Sequence, residues 1–186
     1  MPAGKFYEAV ARGRVFSVST VVAGLAIPIS TGTAPTVALW NPVHSGVVVN
    51  LVRYAIAYVS GTTVAGAVGF QFKGASDTLG ATELYSAFAA SEISNARIGS
   101  GAVSKIYASA AGTNTLGAAV VAWMPTGLGI DAEIATTANP PVNVTYDFDG
   151  LLQLMPGFTA FPCASAASGA LFSQILYWEE VPLLDA

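Results

Sequence analysis

An all-β fold, an antiparallel sandwich, is the reading favoured by three observations. Apolar and polar residues alternate over short runs, and 19 glycines and 10 prolines punctuate those runs. No long stretch repeats apolar residues at helical spacing. No internal repeat period is visible either, which argues against a propeller or solenoid. A chain of 186 residues is long enough for one domain with a sizeable core and short for two. The expected organisation is an extended amino-terminal arm at 1–13 and a single β-sandwich domain at 14–186.

The elements follow in order. Residues 14–21 alternate Phe16, Val18 and Thr20 with Val15, Ser17, Ser19 and Val21, giving a strand with one oilier face. A breaker at 32–35 precedes a short strand at 36–40. Asn41-Pro42 and Ser45-Gly46 are turn pairs. After them comes the longest strand, 47–60. Strict alternation gives it one face with Val47, Val49, Leu51 and Arg53 and another with Val48, Val52, Tyr54, Ile56 and Tyr58. Both faces are largely apolar, as suits a central strand with one side on the core and the other against a partner. Residues 64–72 form another strand, and 82–92 suit a short helix. Strands follow at 104–108 and 116–124, then a connection at 126–141 containing Gly127, Gly129, Pro140 and Pro141. Residues 142–148 alternate cleanly, and Asp149-Gly150 is a hairpin turn signal. Segments at 151–154, 158–163 and 170–181 complete the set. With about eight to ten short strands, a jelly roll is the favoured member of the sandwich class.

Composition adds a constraint that the fold class alone does not. Hydrophobic residues make up 53% of the chain and charged residues 10%, against roughly 25% charged in an ordinary soluble domain. Mean hydropathy is +0.59. The longest apolar run, 21–29, is interrupted by Gly24 and Pro28 and is far shorter than the ~20 residues of a spanning helix. No membrane partner is expected. A surface so poor in charge points to cover by other protein, and so to a subunit packed against copies of itself or a larger assembly.

The same numbers weigh against other classes. Seven Lys+Arg against eleven Asp+Glu give a net charge of −4, and the scattered cations supply no dense basic surface for nucleic acid. Lys5, Arg12 and Arg14 form the one locally basic group. Cys163 is the single cysteine, so neither an intrachain disulfide nor a cysteine-based zinc site is expected. Met1 to Arg14 lacks the layout of a signal peptide, which fits synthesis in a reducing cytoplasm.

No catalytic constellation stands out. His44, the single histidine, sits in an Asn-Pro turn and reads as a loop residue, because catalysis needs a positioned partner. No Gly-x-Ser-x-Gly elbow marks any serine, and one histidine is too few for a jelly-roll metal site. Asp131 with Glu133, and Asp147 with Asp149, are the densest acidic pairs. Asp147-Phe148-Asp149-Gly150 lacks the rest of a twelve-residue calcium loop, and a hairpin corner explains Asp149 without an ion. Trp40, Trp123 and Trp178 lie in apolar strands where packing is the simpler account. Asn143-Val144-Thr145 matches the glycosylation acceptor, most simply by chance. No cofactor, metal or small-molecule substrate is expected.

Three stretches carry a resemblance. They are Leu39-Trp40-Asn41-Pro42 through Ser45-Gly46 into Val49-Asn50-Leu51-Val52, then Leu152 to Gly157 with its Pro-Gly turn, then Leu176-Tyr177-Trp178-Glu179-Glu180-Val181-Pro182. Together they resemble virion structural proteins of tailed bacteriophages, most of all jelly-roll capsid cement or decoration proteins. The resemblance implies a non-enzymatic homotrimer on the outer capsid face, made in the bacterial host cytoplasm, which clamps subunits of the major capsid protein. Read this way, the expected interface residues are Val48, Val52, Tyr54 and Tyr58 on the long strand and Phe6, Tyr7, Arg12 and Arg14 on the arm. A tail, baseplate or fibre-associated component is the alternative within the virion. A carbohydrate-binding jelly roll is the alternative outside it, and a small hydrolase ranks last.

Overall fold

The computed structural model describes residues 6–30, 35–74, 93–110, 122–130 and 143–183. They form two antiparallel sheets packed face to face. The first contains β1 (Val15–Ser19), β3 (Val47–Ser60), β5 (Ile93–Asn95), β8 (Asn143–Asp147), β9 (Gln153–Leu154) and β11 (Leu171–Pro182), in the order β5-β1-β11-β3-β8 with β9 also on β3. The second contains β2 (Ala38–Asn41), β4 (Gly66–Gly74), β6 (Tyr107–Ser109), β7 (Ala122–Ile130) and β10 (Phe158–Ala164), in the order β6-β2-β10-β4-β7. The pairings nest: β1 with β11, β2 with β10, β3 with β8 and β4 with β7.

The inner faces meet in one apolar core. Phe16, Val18, Leu51, Tyr54, Leu176 and Trp178 of the first sheet face Leu39, Val68, Phe70 and Ala160 of the second. Aromatic rings bridge the layers edge-on, Tyr54 against Phe70 at 5.3 Å and Phe70 against Phe148 at 5.1 Å, a geometry that aligns ring edges with ring faces. The second sheet is buried on its other face too, at Trp40, Phe161 and Cys163. There Gly69 leaves no room for a side chain, since a Cβ would sit 2.5 Å from the Met124 carbonyl and 2.7 Å from the Trp123 ring.

The long strand does not alternate strictly. Arg53 lies opposite Tyr177 but Leu51 lies opposite Trp178, so Val52 is an extra residue in β3, a β-bulge. Inward positions change parity there, from Val47, Val49 and Leu51 to Tyr54, Ile56 and Tyr58. This corrects the expectation of two apolar faces. One apolar set points inward throughout, and the outward set is Val48, Asn50, Arg53, Ala55, Ala57 and Val59.

The Asp149-Gly150 turn also differs from expectation. Both residues have positive φ, 53° and 80°, and Leu151 N–H donates to Phe148 O at 2.9 Å. The turn is tight, but β8 and β9 do not pair with each other. Both pair with β3, so the turn is looped out of one edge line, beside the Val52 bulge.

Residues 6–13, expected as an extended arm, contain a one-turn helix, α1 (Tyr7–Ala11), closed by Gly13 at φ 70°. Ala9 is buried, Asn95 Nδ2 donates to Gly13 O, and Arg97 Nη1 donates to Ala11 O. These contacts hold the segment against the first sheet. Residues 126–130, expected in a connection, belong to β7, which among the described residues pairs with β4 alone; Pro125 and two glycines are tolerated on such a strand. The expected helix at 82–92 and the pair Asp131 and Glu133 lie outside the described residues. No helix among the described residues is long and apolar enough to cross a membrane.

Candidate functional site

The bulge and the looped-out turn make the most distinctive feature of the outer surface. A cleft of about 370 Å³ opens on the outer face of the first sheet, lined by Phe6, Val15, Val52, Arg53, Asp147, Asp149 and Tyr177. Its apolar side is built by four elements. Phe6 comes from the entry to α1, Val15 from β1 and Tyr177 from β11, with Val52 pushed outward by the bulge. Its polar side is the pair of Arg53 on β3 and Asp147 on β8, which are direct cross-strand neighbours.

That pair is bidentate: Arg53 Nε donates to Asp147 Oδ1 at 2.5 Å and Nη2 to Oδ2 at 3.2 Å. The bond to Asp147 and its charge raise the Arg53 pKa above its already high ordinary value, with smaller help from Tyr177 and Asp149. Arg53 is therefore held in its cationic form by its carboxylate partner. A second pair, Arg14 Nη2 with Glu179 Oε1 at 3.0 Å, lies one row away on the same face.

Two rows on the other side of the Arg53 row carry mostly small side chains. Ser19, Ile175, Ala55 and Thr145 form one row across four strands, and Ser173, Ala57 and Asn143 the next. An apolar floor with a charged rim binds by shape and contact. The described residues contain no group of three or more His, Cys, Asp or Glu side chains placed to hold a metal ion.

The expected interface residues are divided by this geometry. Phe6 and Val52 meet in the cleft, and Arg14 lies beside it through Glu179. Tyr7 is exposed on α1, and Arg12 pairs with Glu8 within the same turn. Val48 is half-buried on the outer face of β3. Tyr54 is fully buried, and its hydroxyl donates to Gln174 Oε1 at 2.9 Å. Tyr58 packs on the core edge-on to Phe172 and donates to Gly61 O. Placing Tyr54 and Tyr58 beside Val52 on an outward face assumed unbroken alternation, and the bulge removes both from it.

The sequence reading missed Val15, Arg53 and Tyr177, because pairing across three strands has no local signature. The Asn-Pro turn proves structural: Asn41 Nδ2 donates to Val47 O and Leu154 O at 2.9 and 3.0 Å, and His44 is exposed beside it. Cys163 is buried, and desolvation pushes its thiol up to about 12.

Comparison of the chain with protein-family models, with curated proteins and with solved structures gave no match.

Proposed function

We propose that this chain is a non-enzymatic virion structural protein that self-associates and binds the outer surface of a bacteriophage capsid, stabilising the shell. We read its sandwich as a jelly roll, an assignment supported by the nested pairing of β1 with β11, β2 with β10, β3 with β8 and β4 with β7. Its expected partners are two further copies in a homotrimer and the major capsid protein.

One observation carries the reading. The middle of the outer face of the first sheet carries Ser17, Ser19, Ala55, Ala57, Thr145, Ser173 and Ile175, and Arg14 and Arg53 beside them are each paired with a carboxylate. A face meant for water alone has no need of so many small uncharged side chains. Small side chains let a facing surface approach closely, and each 100 Å² of apolar area covered contributes ~2.5 kcal/mol before association costs. Repeated over a shell, modest contacts add to a large restraint.

Locating the protein in a particle reconstruction or by immunogold labelling tests the assignment. Density on the outer shell supports it; density confined to the tail or baseplate replaces it with the tail-associated alternative, and absence from particles overturns both.

A further inference from the structure

We infer that β8 is a strand-addition edge that pairs, two-fold and antiparallel, with β8 of a second copy. The inference rests on the reading that the chain self-associates and adds a two-fold contact to it, which joins subunits in pairs and is distinct from the contacts within a trimer.

Among the described residues the sheets end at β5, β6, β7 and β8, and these edges are unequal. β6 has three residues, and β7 carries Pro125, Gly127 at φ 78° and a register shift against β4. Short length, proline and bulges are the usual devices that keep a sheet edge from adding strands. β8 has none of them within Asn143–Asp147: five residues, with no Pro, Gly or Lys. Among the described residues, β3 is its one strand partner.

The register decides the symmetry. Phe148 N–H donates to Val52 O, so along the β3 ladder Tyr146 and Val144 turn their backbone groups toward β3, and Thr145 turns its N–H and C=O away. Thr145 is exposed at the middle of the strand. A two-fold axis at this residue sets Thr145 against Thr145 in a hydrogen-bonded pair and Val144 against Tyr146. It also sets Asn143 against Asp147, so the carboxylate meets an amide and no like charges face each other. Thr–Thr and aliphatic–aromatic cross-strand pairs are favourable. The partner of complementary chemistry is the strand itself.

Two variants test this. Thr145→Pro removes an N–H that makes no bond to β3, so the fold survives while the edge is blocked. Native mass spectrometry is expected to show the assembly halved, a dimer falling to monomer or a hexamer to trimer. Thr145→Cys, treated with a short bis-maleimide, is expected to cross-link at least tenfold faster than Val103→Cys, which is 78% exposed outside this face; the buried Cys163 does not compete. An unchanged assembly in Thr145→Pro, or equal cross-linking of the two cysteines, overturns the edge assignment and leaves self-association standing. A wild-type monomer overturns both.

Discussion

Arg53 and Asp147 face each other across β3 and β8 and join at two points, yet their side chains are 51% and 47% exposed. Exposed pairs contribute little to stability because water and salt screen them. Arg53→Ala is therefore expected to lower stability by no more than about 1 kcal/mol while removing the polar rim of the cleft. Urea unfolding gives the first quantity and the assembly constant the second. A large loss of stability with unchanged assembly would assign the pair to the fold alone.

The bulge makes an unusual deletion tolerable. Without Val52, residues 47, 49, 51, 54, 56 and 58 fall on one face by simple alternation, so the inward set is preserved. Deleting Val52 is expected to leave a folded protein, weakened by about 1–3 kcal/mol through the lost Phe148 N–H bond and cleft packing. Deleting Ala55 throws half of β3 to the wrong face and is expected to abolish folding. Near-ultraviolet circular dichroism of the two variants separates these outcomes.

Glu180 is buried, with one oxygen accepting from Ser104 Oγ at 2.5 Å and Trp178 Nε1 at 3.3 Å, and the other from Lys105 N–H at 2.9 Å. A carboxylate suits three donors, whereas an amide turns an N–H toward at least one of them. Glu180→Gln is expected to cost about 2–3 kcal/mol, read as a lower urea midpoint with an unchanged slope.

Alkali should loosen the fold through buried groups. Burial raises the Cys163 thiol from 9.0 to about 12 and lifts the Tyr54 phenol well above 10.0. Each group holds its proton in the folded state at a pH where the unfolded chain releases it, so stability falls as pH rises. The thiol contribution is intact below pH 9 and is lost progressively toward pH 12. Urea midpoints should drop as the pH rises from 9.0 toward 12, and less steeply in Cys163→Ala. Identical slopes in the two proteins would contradict the assignment to the thiol.

Much of the sandwich was legible because its strands keep a period of two and its turns use Pro, Gly and Asp. The long strand was found in full, but its faces were mixed, since Val52 looks like any other strand valine and a bulge is defined by the partner strand. For the same reason Asp149-Gly150 announced a tight turn without saying which strands it serves. Phe6 and Val52 were named for an interface and do meet at the cleft. Val15, Arg53 and Tyr177, which complete it, come from three strands far apart in sequence. α1 went unseen because one turn of helix has too few residues to show a period, and contacts from Asn95 and Arg97 hold it.

Sedimentation equilibrium of the purified chain across a wide concentration range tests the central claim most directly. The account predicts a defined assembly of several 18.9 kDa chains that dissociates on dilution. A single 18.9 kDa species persisting at the highest concentration would contradict it.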